Sequence, residues 1–376
     1  MTPMVLGPNP AAERTGSWWE RFLSIRILLP SITGLMTIAL TVVFATYAFQ
    51  ARERREEVRR VPFLVNVSYD LFAAIQDLRL ERGGVNRALA APSLYPELKA
   101  DIAKERALSG RALASGLEKL SNLSGYTADI ALIKTNRDSF DALRGEVDRA
   151  LAVHGSGSEM LPQRWLAGNA RLVKSIDELA SGLESELSRS DPFVAEMIRV
   201  KQIVWPVRSD SGDDRLLVRE ALTSGKQLTS ATRHELDILA GRIESLWQLV
   251  QAEGRLANTP PKLKDAIAEA DRIYFTEFRN LRNHVVEELA AGHHVAVDMD
   301  KWLALSAAGR SALYGVAKTA FDLATVHASE QYAKANREFY LALALMLLFF
   351  GLGAVAALYV IKGVVRPMTH LAETMA

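Results

Sequence analysis

The sequence predicts an all-α protein in which two transmembrane helices flank a duplicated four-helix-bundle domain held outside the membrane. Three observations predict it. Two runs free of charged side chains, Ile27 to Phe49 and Phe339 to Ile361, are each 23 residues long. Between them apolar residues recur at helical spacing, as in Leu143, Val147 and Leu151 or in Tyr274, Phe278, Leu281, Val285 and Leu289, and no run alternates as a half-buried strand would. The segment Leu143-Arg144-x-x-Val147-x-x-x-Leu151-Ala152 also returns as Leu281-Arg282-x-x-Val285-x-x-x-Leu289-Ala290, each copy followed by a turn and a Trp-Leu-Ala triplet at Trp165 and Trp302.

In chain order, residues 1–26 form an N-terminal segment carrying Arg14, Arg21 and Arg26, with Trp18 and Trp19 suited to a membrane–water interface. Residues 27–49 form the first transmembrane helix. A bilayer core of about 30 Å needs about 20 helical residues, and a signal-peptide apolar region has only about 7–15, so this run reads as an uncleaved anchor. Pro30 lies in its first turn, where a missing N–H matters least. The central helices are predicted at 52–90, 97–122, 127–153, 160–205, 213–224, 229–254, 262–291 and 298–361. Breaks are placed at Pro92 and Pro96, Gly125, Gly155 to Ser158, Pro206 to Gly212, Gly225, Pro260-Pro261 and Gly292 to Val295. The repeat divides them into a first bundle at 50–205 and a second at 206–338, each with enough helix for four rods. Upstream, Arg79-x-Glu81-x-Gly83 aligns with Arg208-x-Asp210-x-Gly212. Residues 339–361 form the second transmembrane helix, entered without a proline break, and 362–376 follow it.

Composition excludes several chemistries. The net charge of +1 over 376 residues gives no reason to expect nucleic acid as a partner. The chain has no cysteine, which rules out disulfides, thiolate catalysis and Cys-based metal sites. No nucleophile–base pattern, phosphate-binding glycine loop or paired-carboxylate pattern is present, so neither an enzyme nor a cofactor is expected. His293-His294, with Asp298 and Asp300 nearby, reads as an exposed loop pair rather than a metal site, and His154 stands alone in the matching turn. Asp213-Asp214, after a glycine, reads as a helix start, where acids are favoured. The repeated tryptophans read as core anchors, with ligand stacking as the other role open to them.

The candidate ligand-binding residues are Arg79, Arg82, Arg87, Arg208 and Arg215, with Arg219 following. Arg79 and Arg82 share a helix face, and guanidinium groups hydrogen-bond planar oxyanions two bonds at a time. Gly83 and Gly84 leave room for a ligand or a neighbouring backbone. The competing reading pairs these arginines with Glu81, Asp210, Asp213 and Asp214 on solvated faces.

Two resemblances extend this reading. Arg366-Pro367, followed by Met368, Leu371 and Met375 at heptad-like spacing, resembles the opening of a HAMP linker, the module that carries a signal from a membrane helix to an output domain. That resemblance implies a cytoplasmic C-terminus, an extracytoplasmic 50–338, signal transmission through those five residues and an output domain beyond this chain. Leu78 to Leu89, with its Glu81-Arg82-Gly83, resembles the first motif of nitrate- and nitrite-sensing receptor domains, which are double four-helix bundles. The family's small hydroxyl residue after the glycine is missing here. Together these imply the front end of a methyl-accepting chemotaxis-type transducer of the bacterial inner membrane. Such a receptor is a homodimer binding a small or anionic ligand and acting on cytoplasmic signalling proteins. The same front end would serve a sensor histidine kinase or a diguanylate cyclase whose catalytic domain lies elsewhere.

Overall fold

The computed structural model describes residues 25–153, 159–224, 227–293, 295 and 297–362. All its regular elements are helical, and no strand occurs among the described residues. Helix α1 runs Ile25–Ala90, followed by a 3-10 turn at Pro92–Leu94, α2 at Tyr95–Ser121, α3 at Thr127–Ala152 and α4 at Leu161–Leu187. Then come α5 at Pro192–Ser224, α6 at Ser230–Arg255, α7 at Pro261–Ala270, a π-helical segment at Asp271–Phe278, α8 at Arg279–Ala290 and α9 at Met299–Val360.

The turns fall largely where the punctuation puts them. Gly125 and Gly292 take φ values of 103° and 78°, a left-handed backbone that a side chain would strain. Thr229 caps α6, its hydroxyl accepting the Thr232 N–H at 3.1 Å, and Pro261 opens α7 where its missing N–H is harmless. The expected breaks at Gly155 to Ser158 and at Gly225 lie outside the described residues.

Two helix boundaries differ from expectation. The chain does not break at Pro206 to Gly212, so the expected division at 205/206 falls inside α5. Pro206 removes one N–H, but Val204, Val207 and Arg208 around it are buried, and that packing holds the helix through the defect. The predicted helix 160–205 instead breaks at residues 188–191. Asp191 caps the new helix by accepting the Val194 N–H at 2.9 Å, and Pro192 begins it.

The chain divides into two compact units, one of Met1–Glu57 with Ala333–Ala376 and one of Val58–Tyr332. In the first, the apolar stretches of α1 and α9 are long and apolar enough to cross a membrane. Their large side chains face outward, with Leu35, Val355 and Tyr359 being 71%, 64% and 74% exposed, the reverse of a core helix in water. Between the two stretches Phe44 stacks on Phe349 at 4.6 Å, and a side chain at Gly353 would collide with Thr37. The Thr37 and Thr41 hydroxyls donate back to the carbonyls of Thr33 and Thr37, so neither faces an apolar surround unpaired.

In the second unit α1 to α4 share one set of contacts and α5 to α9 another. Glu81 of α1 accepts from Arg106 of α2 and Arg144 of α3, while Asn169 of α4 donates to the Leu78 carbonyl at 3.0 Å. In the other set Asp214 of α5 accepts from Arg282 of α8, and Phe278 lies 5.2 Å from Trp302 of α9. The sets meet where Phe72 of α1 packs on Trp205 of α5 and on Tyr314 and Phe321 of α9. Beside that aromatic cluster the buried Lys201 donates to Glu184 at 2.5 Å, joining α5 to α4.

Candidate anion-binding site

All five arginines singled out in the sequence converge on one place, and Arg310 joins them. Two adjoining cavities lie between α1, α5 and α9. Arg79, Arg82, Arg208, Arg215 and Arg310 line the first, and Arg79, Arg87, Arg215 and Arg310 line the second. Helical periodicity supplies the rows: 79, 82 and 83, 86 and 87 on one face of α1, then 208, 212 and 215 on α5, and 303, 307 and 310 on α9.

Repeated contacts hold these rows in place. Arg144 reaches Glu81 with both Nε and Nη2, and Arg282 reaches Asp214 in the same way. Glu81-Arg82 and Asp214-Arg215 are thus held alike, Asp214 lying four positions on from the expected match with Asp210. In each pair the acid turns inward to an arginine of its own helix set, and the arginine that follows lines the cavity. Asp214 is thus a buried mid-helix partner and not a helix start, because α5 continues through it. Trp165 is fully buried, stacks on Phe140 at 4.7 Å and donates to the Arg82 carbonyl at 3.3 Å; Trp302 is equally buried beside Phe278. Both tryptophans are core anchors. The aromatic residue that meets the site is Trp205, whose ring lies 4.7 Å from the Arg79 guanidinium and 5.8 Å from that of Arg208.

The charge of the site is uncompensated. Arg208 is 3% exposed and Arg215 8%, and the Nε of each has no hydrogen-bond partner. Burial pushes the Arg208 guanidinium well below its ordinary value, and Arg310, Arg79, Arg82 and Arg215 push it further. Burial lowers Arg215 to about 9, helped by Arg310, Arg219 and Arg87. Burial likewise lowers Arg79, with Arg82 adding to it and Asp213, Asp177 and Asp210 opposing. Arg310 and Arg219 move the same way, by burial first and then by Arg87. The nearest carboxylate pair, Arg82 to Asp213 at 3.8 Å, is half in solvent and neutralises little. A guanidinium does not shed its proton near neutral pH, so only an anion relieves this repulsion. The two adjacent glycines have separate tasks. A side-chain carbon at Gly83 would meet nothing within 4 Å, whereas one at Gly84 would press on Ile102 at 3.0 Å. Gly83 opens the cavity, and Gly84 lets α2 approach.

Other expected features stand apart. Among the described residues no group of three or more His, Cys, Asp or Glu is placed to hold a metal. His293 pairs with Glu288 at 2.9 Å, and His154 and His294 lie outside the described residues. So do Arg366, Pro367, Met368, Leu371 and Met375. Sequence reasoning missed Arg310 and Trp205. Arg310 has no neighbouring motif, and its only signal is its place in the row Leu303, Ala307 and Arg310.

No family model matches the chain, and no curated protein does. Among solved structures it is similar to the NasR transcription antiterminator, with a TM-score of 0.56 and 18% identity over 84% of this chain and 83% of that one. The likeness is one of fold. It overturns the resemblance to a chemotaxis transducer. A structure that shares the fold is that of a transcription antiterminator, and no family model supports the transducer reading.

Proposed function

We propose that the chain is a membrane-anchored receptor for a small inorganic oxyanion. Residues 50–338, built from a duplicated four-helix unit, bind the anion outside the bacterial inner membrane and pass the signal along α9 to cytoplasmic signalling proteins, the receptor acting as a homodimer. One observation carries this reading: five guanidinium groups from three helices meet in a buried cavity with little carboxylate to balance them. A receptor needs a ligand that prefers one of two arrangements. An anion here has that property, because it favours the state in which α1, α5 and α9 are closest. The corresponding pairs Glu81–Arg144 and Asp214–Arg282 support the duplication. The outward-facing apolar stretches of α1 and α9 support the anchor. A fold shared with a transcription antiterminator suits a regulatory role.

The test is calorimetric titration of the full chain in lipid nanodiscs with nitrate, nitrite, acetate and phosphate. A planar oxyanion should bind, and Gly83→Leu should abolish binding by filling the cavity while leaving every charge in place. If no anion binds at millimolar concentration, or if binding is unaltered in both Gly83→Leu and Arg79→Gln, this site is not the receptor site.

A further inference from the structure

The arginines line two adjoining, partly open chambers. The first has a volume of about 30 Å³ and the second about 130 Å³. They share Arg79, Gly83, Arg215 and Arg310, while Arg82 and Arg208 belong to the first alone and Arg87 to the second alone.

We infer that the protein takes a second small inorganic anion in the chamber lined by Arg87, beside the one already proposed; this rests on the reading that the first chamber binds an oxyanion. An anion held between Arg82 and Arg208 leaves the other end of the cluster exposed to its own repulsion. Arg87 acts there on Arg215, Arg219 and Arg310 together, and no carboxylate lies within ion-pair distance of Arg87 among the described residues. Leu80, Gly83, Gly84, Leu303 and Ala307 form the rest of that wall, so no carboxylate lines the chamber to offset the charges. The chamber has room for a polyatomic ion, and Arg215, which lines it, has a buried Nε without a hydrogen-bond partner. Since both chambers draw on Arg79, Arg215 and Arg310, the two ions compete for donors and repel each other. The second therefore binds more weakly than the first.

The experiment is calorimetry of the full chain in zwitterionic nanodiscs, titrated with potassium nitrate in halide-free buffer. Two ions per chain are expected, in a strong and a weak step. Arg87→Gln should remove the weak step alone and Arg82→Gln should weaken the strong one, with the helical circular dichroism of both unchanged. Arg87→Lys, which keeps the charge and loses the fork, should retain two ions with a weaker second step, and it serves if the glutamine variant does not fold. One ion per chain with an isotherm indifferent to Arg87 would overturn the second site and leave the first standing. One ion whose affinity falls in both variants would also overturn it, since a single ligand would then bridge the chambers. Absence of any binding removes the first reading, and this one with it.

Discussion

Arg208 sits in the least favourable electrostatic position of the side chains at the site, almost wholly buried with four other guanidiniums acting on it. An uncompensated buried charge destabilises by about 3–5 kcal/mol. Arg208→Met should therefore raise the unfolding midpoint in anion-free buffer while removing most of the stabilisation that nitrate gives the parent chain, both read by thermal melts. A lower midpoint would mean that Arg208 has a partner that the geometry does not reveal. A different residue contributes to the response to pH. Burial, then Glu105, raises the Asp77 carboxyl from 3.8 to about 7. The folded state then holds a proton that the unfolded chain releases, so the contribution of Asp77 to stability is fullest below about 4 and is lost as pH rises to about 7. Asp77→Asn should flatten the melting midpoint between pH 5 and pH 8. The arginines themselves were legible in the sequence because Arg79 and Arg82 flank a glycine pair on one helix face. Arg310 was not, since what makes it a site residue is the crossing of α9 over α1 and α5, which no local pattern encodes.

Helix spacing is set by a few glycines. A side-chain carbon at Gly168 of α4 would lie 2.8 Å from Leu143 and 3.4 Å from Phe140 of α3, whereas one at Gly110 of α2 meets nothing. Gly110→Ala should stabilise by about 0.5–1 kcal/mol through chain entropy, and Gly168→Ala should destabilise by about 1–3 kcal/mol through overpacking. Denaturant titrations of the two variants check both signs, and equal effects would mean that α3 and α4 are not in close register. Most elements could be read from periodicity and turn residues. The exceptions have physical causes. Pro206 signals a break, yet tertiary packing outweighs it. The Asp191-Pro192 cap is a good helix start that the long apolar periodicity on either side concealed. The π-helical segment Asp271–Phe278 leaves no mark on the sequence, because the Trp247 and Gln251 side chains that hold Asp271 come from another helix.

For the molecule as a whole, the membrane reading depends on the apolar faces of α1 and α9. The chain should stay with membranes through an alkaline carbonate wash and be released by detergent; release by carbonate alone would remove the anchor. The absence of cysteine makes topology directly measurable. Ser121→Cys, at the exposed end of α2, should react with a membrane-impermeant maleimide in intact cells, and protection from it would put the domain on the cytoplasmic side. The all-helical class and the two apolar runs were legible from hydropathy alone. What the sequence could not supply was the shared fold, since an architecture common to proteins 18% identical leaves little trace in short motifs.

The crowding of like charge around Arg208 and Arg215 has a consequence for physiology. On the oxyanion-receptor proposal, chloride competes for the same guanidiniums in any saline medium. Recognition is then an exchange of one occupant for another, and the half-saturating dose of the proposed effector should climb with ambient halide.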